Sequence, residues 1–266
     1  MLDAAENAGC RTLVLTVDTP VLGIRRRDTR SGLSDPGLAG RLRRGAQIAA
    51  RPDWSLKMLS RGLPVTLGNI SSALDGRTSF ADCMAYTADG LERHFDFACL
   101  RWLREVWPHN LVIKGLTEPD DAQLAIDCGF DGIIVSNHGG RQLDGTRSSI
   151  RSLISISEIV QDRVPLILDS GVRSGMDVVK ALALGASAVM IGRPWVYALG
   201  AGGRAGVIRL IECLVREFEV AMELCGVADP QHLRAADLAV IPPSWSHDRR
   251  YRSPASDTPQ FGEADS

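Results

Sequence analysis

Five short apolar runs, spread along the chain with helix-like or longer segments between them, constrain this sequence more than any other feature. They are Thr12–Val17, Leu111–Gly115, Gly132–Ser136, Val164–Asp169 and Ala188–Gly192. Runs of four to six apolar residues alternating with helices describe parallel strands, expected to be buried on both faces. The last three recur at about 30 residues, the length of one βα unit. Glu118-Pro119-Asp120-Asp121 opens a helix with proline and acids in its first turn, predicted to run to Cys128. A second helix is predicted from Ser174 to Leu184, closed by Gly185. Leu2 to Gly9 reads as a further helix ahead of the first strand.

Each run ends in polar residues or glycine: Thr16 and Asp18, Lys114, Ser136-Asn137-His138, Asp169-Ser170-Gly171, and Gly192-Arg193. Polar groups gathered at strand C-termini build the site of a (β/α) barrel, and an open doubly wound sheet gathers them there too. No Gly-x-Gly-x-x-Gly follows any of the strands, which favours barrel units over a dinucleotide-binding sheet. The expected fold class is therefore α/β, a partial (β/α)8 TIM barrel with about five C-terminal βα units.

Composition narrows the function. Thirty basic residues against 32 acidic give a net charge of -2, which argues against a nucleic-acid binder. No apolar stretch reaches the length of a membrane span, and the first residues show no signal peptide. Six scattered cysteines without a CxxC fit reduced thiols in a cytoplasmic protein, and no metal site is expected. The balanced charge hides an asymmetry: residues 24–61 hold ten Lys/Arg against three Asp, a local +7 against -9 elsewhere. This segment reads as a solvated basic surface or as a basic, partly apolar patch resting on anionic lipid or a partner. The second reading would put the protein peripherally on the inner membrane face.

Ser136-Asn137-His138-Gly139-Gly140-Arg141-Gln142-Leu143-Asp144 is the strongest local signal. A histidine can accept a proton near neutral pH, and an arginine three residues later can grip a carboxylate with a two-point fork. Lys114 closes an apolar strand, so it must reach solvent or meet an anion. Asp169-Ser170-Gly171-Val172-Arg173 and Gly192-Arg193-Pro194 both follow late strands and pair loop amides with an arginine. That combination suits a phosphate. Asp18 could orient a histidine cation, and Arg25 could supply a second cationic clamp.

Thr16-Val17-Asp18-Thr19-Pro20, Lys114-Gly115, Ser136 to Asp144, Asp169 to Arg173 and Gly192-Arg193-Pro194 stand in the order of one known family. They resemble the FMN-dependent α-hydroxy acid dehydrogenases and oxidases, over roughly residues 1 to 243. The stretch Leu100 to Arg104 with Trp107-Pro108-His109 is most similar to the bacterial membrane-associated lactate and mandelate dehydrogenases. The resemblance implies oxidation of an (S)-2-hydroxy acid to the 2-oxo acid, with His138 as base and Asp18 stabilising its imidazolium. Arg25 and Arg141 would bind the substrate carboxylate. Thr16, Lys114, Ser136, Asp169, Gly171, Arg173, Gly192 and Arg193 would bind FMN, with Lys114 at the N1–C2 carbonyl edge and Gly192 and Arg193 at the phosphate. It also implies an electron acceptor (quinone, cytochrome or oxygen) and a homo-oligomer when full length. Another phosphate-binding barrel, of the inosine monophosphate dehydrogenase kind, would need a loop cysteine after a strand end. None of the six cysteines is placed that way.

Two departures accompany the resemblance. Arg26 stands where the family has an acid after Gly-Ile-Arg, and three βα units that precede the Thr-Val-Asp-Thr-Pro strand in the family have no counterpart before Met1. The expected organisation is a barrel domain over 1–242, N-terminally truncated, with a basic insertion at about 24–80 and a disordered tail at 243–266. For such a chain by itself the expectation is weak FMN binding and little turnover, with an inactive remnant as the alternative.

Overall fold

A computed structural model of the chain describes residues 2–23, 25–33, 35, 37–60, 70, 74, 80–92 and 96–233. The tail expected at 243–266 and most of residues 61–79 lie outside the described residues. The chain divides into two compact units: Met1–Thr16, Phe97–Gly139 and Thr146–Ser266 in the larger, and Val17–Asp96 with Gly140–Gly145 in the smaller.

The larger unit carries five parallel strands: β1 (Thr12–Thr16), β2 (Asn110–Leu116), β3 (Gly132–Val135), β4 (Leu166–Leu168) and β5 (Ala188–Val189). They hydrogen-bond in sequence order from β1 to β5. Each apolar run of the sequence is thus a strand, and the fold class is α/β as expected. Unbroken sequence order with a helix after each of β2 to β5 is the connectivity of barrel βα units rather than of a doubly wound sheet, whose order reverses at a switch point. Among the described residues β1 and β5 are edges, so the sheet is not closed.

Helices α1 (Leu2–Asn7) and α6 (Phe97–Val106) precede β1 and β2. Helix α7 (Pro119–Asp127) begins with Pro119 and two acids, where a missing N–H and negative charge are both tolerated. Helix α8 (Ser149–Val160) turns Leu153, Ile156 and Val160 inward at helical spacing, and all three are fully buried. Helix α9 (Gly175–Ala183) is capped by Ser174, whose hydroxyl accepts the Asp177 N–H at 3.2 Å. It lies so close to α10 (Arg193–Leu224) that a Cβ on Gly175 would run into the backbone of Phe218. Val179 of α9, Ala221 and Met222 of α10, and Leu233 form the small core beneath this crossing. Helix α10 is broken at Gly203, whose φ of +57° and ψ of -143° are not helical.

Burial on both faces holds for β3, where all four residues are buried, but not for the edges. Val14 of β1 is 46% exposed, and Ala188 of β5 is exposed. The reason is local: an edge strand has a neighbour on one side only, and α1, beside β1 in sequence, buries none of its residues.

The smaller unit is helical: α2 (Arg26–Ser31), α3 (Leu38–Ala49), α4 (Pro52–Ser60) and α5 (Phe80–Asp89). The basic segment at 24–61 therefore contains three helices. Arg44 of α3 fastens it to the loop after α2 by donating to the carbonyls of Gly32 and Asp35, and Gln47 donates to Ser31 O at 2.9 Å.

Candidate active site

In the larger unit the C-terminal ends of the strands converge on one partly buried ion pair. Lys114 Nζ lies 2.9 Å from Asp169 Oδ2, with the two side chains only 14% and 16% exposed. Lys114 reaches that point through an irregularity in β2. Lys114 is in register with Thr16 of β1 and Ile134 of β3, and the pairing with β3 then shifts between Lys114 and Leu116. Gly115 takes up the shift at φ +107°, a conformation that a side chain would strain. Of the two fates open to a lysine at a strand end, solvent or an anion, Lys114 takes the second and meets Asp169.

Ser136, fully buried, completes the arrangement. Its hydroxyl donates to Asp169 Oδ2 at 2.6 Å and accepts from Lys114 Nζ at 3.1 Å and from the His138 backbone N–H at 3.0 Å. One donor and two acceptor positions are all that a serine hydroxyl has, so each is used. Burial acts to raise the Asp169 carboxyl. The hydrogen bond from Ser136, the hydrogen bond and charge of Lys114 and the Ser170 amide outweigh it, so the group sits below the ordinary carboxylate value.

His138 follows in a left-handed conformation, φ +56°, and Gly139 and Gly140 continue it at +67° and +69°. A non-glycine residue held there marks a turn fixed by its surroundings. The Gly139 N–H donates to Asn137 Oδ1 at 3.1 Å and to Ser170 Oγ at 2.8 Å. The Gly139 carbonyl accepts from Arg193 Nη2 at 3.3 Å, and Asn137 N–H donates to Ser149 Oγ at 3.1 Å. The histidine turn is thus fastened to elements following β3, β4 and β5.

Two glycines open the phosphate-suited end. A Cβ on Gly171 (φ +83°) or on Gly192 would meet nothing within 4 Å. Gly192 precedes α10 and makes no side-chain cap, so the first amides of a long helix have no capping side chain. The Arg173 side chain is 80% exposed and pairs loosely with Asp177 at 3.8 Å. Lys114 and Thr16 at one place, and Gly171, Arg173, Gly192 and Arg193 on the later loops, make a cationic and amide-rich donor set. That chemistry fits the carbonyl edge and phosphate of a flavin mononucleotide.

The smaller unit brings together Asp18, Arg25 and Arg141 segments through Gln142. Its side chain accepts from Gly23 N–H at 3.2 Å and donates to the carbonyls of Val21 at 3.0 Å and Asp18 at 3.3 Å. Gly23 packs so tightly on the Arg141 carbonyl that any Cβ there would collide with it. Arg25 Nε is buried and has no hydrogen-bond partner among the described residues. A buried guanidinium nitrogen left open is a standing demand for an anion. Sequence reasoning missed Gln142 and Ser170 as organising residues. Both lie inside motifs already singled out, but neither type signals chemistry by itself.

The family model described as FMN-dependent dehydrogenase matches residues 1–240. The chain belongs to the FMN-dependent dehydrogenase family, a family of oxidoreductases. It is 46% identical over 239 residues to an L-lactate dehydrogenase of Caulobacter vibrioides, covering 90% of this chain and 62% of the relative. An L-lactate dehydrogenase of Alcaligenes faecalis is 47% identical over 227 residues, covering 85% and 59%. Among solved structures, the monotopic membrane protein (S)-mandelate dehydrogenase aligns with a TM-score of 0.79 at 36% identity, over 88% of this chain and 61% of the other. The chain thus spans about three fifths of the length of these relatives.

Proposed function

We propose that this chain carries the proton-handling and cofactor-holding half of an FMN-dependent oxidation of a 2-hydroxy acid to the 2-oxo acid. The observation that carries this reading is the partly buried Lys114–Asp169 pair, held by buried Ser136 and joined through it to the His138 turn, within the family match. FMN, when bound, supplies the two-electron acceptor. Lys114 places a cation where the flavin carbonyl edge gains negative charge, and Asp169 keeps that lysine oriented. Gly171, Arg173, Gly192 and Arg193 hold the phosphate side. His138 takes a proton from the substrate onto an imidazole nitrogen, and Asp18 stabilises the resulting imidazolium. Arg25, with its open Nε, and Arg141 bind the substrate carboxylate. Lactate and mandelate are the substrates to try, on the printed names of the relatives.

The test is a visible spectrum of the purified chain with FMN, before and after anaerobic addition of (S)-lactate or (S)-mandelate. Bound flavin that bleaches supports the reading. Flavin that binds but stays oxidised with both acids leaves the chain as a non-catalytic FMN binder.

A second reading concerns location. Helices α3 and α4 carry Arg41, Arg43, Arg44 and Lys57 beside exposed Leu38, Leu42, Trp54, Leu56 and Leu59. Basic residues mixed with exposed apolar ones suit an anionic lipid surface, and a quinone is the electron acceptor such a surface offers. Among the described residues no helix is long and apolar enough to cross a membrane. Co-sedimentation with phosphatidylglycerol vesicles but not with phosphatidylcholine vesicles supports peripheral binding; no co-sedimentation with either opposes it.

A further inference from the structure

We infer that Gln142 is a positioning residue that sets the span between Arg25 and Arg141, the two arginines proposed to grip the substrate carboxylate. The inference rests on that reading for its chemistry and on hydrogen bonds within the smaller unit for its evidence. Gln142 is half-buried, and its side-chain amide works in both directions on one loop. The amide oxygen accepts the Gly23 N–H at 3.2 Å, and the amide nitrogen donates to Val21 O at 3.0 Å and to Asp18 O at 3.3 Å. A primary amide has two N–H donors, and each meets one of these carbonyls. Three points of the loop from Asp18 to Gly23 are thus held by a single side chain. Few residue types could replace it: a glutamate carboxylate has no proton to donate, and asparagine is one methylene shorter.

The place of this clasp gives it its consequence. Arg141 immediately precedes Gln142, and Arg25 stands two residues beyond Gly23. Each arginine is therefore a short covalent step from the same contact. The two backbones meet closely there, because a Cβ on Gly23 would run into both the Arg141 carbonyl and Gln142 Oε1. Only glycine permits that approach. On its far side the Arg25 carbonyl accepts the Asp28 N–H at 2.9 Å, which seats its backbone at the start of α2. The buried Arg25 Nε has no hydrogen-bond partner among the described residues, so no bond at that nitrogen orients the guanidinium before an anion arrives. Its placement falls to the backbone that Gln142 ties. A carboxylate gripped by two forks needs both at a fixed separation, and a misplacement of about 1 Å in such a clamp can cost about a hundredfold. In this role Gln142 acts through the two arginines.

The experiment uses the full 266-residue chain and reads geometry and binding separately. Geometry is read without ligand, by NMR, from proton exchange at the Gly23 amide and at Arg25 Nε. Gln142→Ala is expected to speed Gly23 exchange about tenfold, the loss of one ordinary hydrogen bond, and to speed Arg25 Nε exchange by a similar factor. Binding is read by calorimetric titration with pyruvate in the presence of FMN. Pyruvate is the 2-oxo acid of lactate, so it carries the same carboxylate and leaves the flavin oxidised. Gln142→Ala is expected to weaken pyruvate binding about tenfold. In Arg25→Met, which leaves a single fork, the further change Gln142→Ala is expected to cost less than about twofold. A general loosening of the loop would cost the same factor in both backgrounds. Gly23→Ala forces the clasp open from the other side and is expected to weaken pyruvate by a similar factor. It serves, together with Gln142→Met, if Gln142→Ala does not fold. Unchanged Arg25 Nε exchange in Gln142→Ala, or an equal loss of pyruvate affinity in both backgrounds, overturns the positioning role. If the wild-type chain binds no pyruvate, the carboxylate reading of the two arginines fails instead. Arg25 Nε exchange then decides by itself whether Gln142 positions that arginine.

Discussion

The two ends of the same sheet carry polar clusters built on opposite plans. At the C-terminal end, Lys114 and Asp169 are 14% and 16% exposed and share a buried serine. At the N-terminal end, Arg104 and Asp131 are 25% and 48% exposed at 2.8 Å, and His109 and Glu6 are 25% and 53% exposed at 3.6 Å. There the side chains mostly serve the backbone. Arg104 donates to the carbonyls of Gly129, Trp107 and His109, while Asp131 accepts the Leu111 N–H at 2.8 Å. The Arg11 guanidinium and the His109 ring nitrogen Nε2 lie 2.6 Å apart. One rim closes off loose backbone ends with solvated groups; the other joins side chains to one another with less contact with water. Barrels show this division generally, with stability at the N-terminal face and chemistry at the C-terminal face.

If burial is what separates the two rims, removing a partner should cost far more at the C-terminal one. Asp169→Ala leaves an ammonium in a partly buried site without its carboxylate and is expected to destabilise the fold by about 2 kcal/mol in urea denaturation. A loss under about 1 kcal/mol, the level of a surface pair, would erase the distinction. Acid gives the same contrast without mutation. A carboxyl whose folded value lies below its ordinary value stabilises the fold above that ordinary value. The contribution is lost as pH falls through the folded value. For Asp169 the shift is downward, so stability should decline as pH drops below the ordinary aspartate range, and Asp169→Asn should flatten that decline. An equally steep decline in the variant would place the acid-sensitive group elsewhere.

Smaller effects sharpen the comparison. Gly115→Ala strains a residue at φ +107° and should cost about 1–2 kcal/mol, while also shifting the Lys114 ammonium. Weaker FMN affinity alongside that loss would tie the β2 irregularity to the site; unchanged affinity would make it purely structural. Glu6→Gln, at an exposed pair on the other rim, should change stability by no more than about 0.5 kcal/mol, and that change should vanish in high salt.

Much of this was legible before the fold was seen. The five strands, the helices beginning at Pro119 and Gly175, and the residues at each strand end follow from apolar run length, caps and breakers. The phosphate-suited loops were legible because glycine and arginine together are an unusual pair after a strand. The partnership of Lys114 with Asp169, 55 residues apart in a motif read for its phosphate contacts, was not. Nor was the part played by Gln142, whose amide ties three points of the Asp18–Gly23 loop. Burial on both faces was overstated for β1 and β5, because strand propensity is local and edge exposure depends on neighbours.

By itself the sequence determined which segments become parallel strands and which reactive side chains stand at their ends. Those properties arise within windows of a few residues, from side-chain periodicity and backbone preference. Only the tertiary structure decided that Ser136 is a junction and that Asp169 faces Lys114. It also decided that Arg25 keeps a buried nitrogen open. Such pairings depend on strand register, on the shift at Gly115 and on left-handed turns at His138 and Ser170. These bring together groups that no local pattern relates.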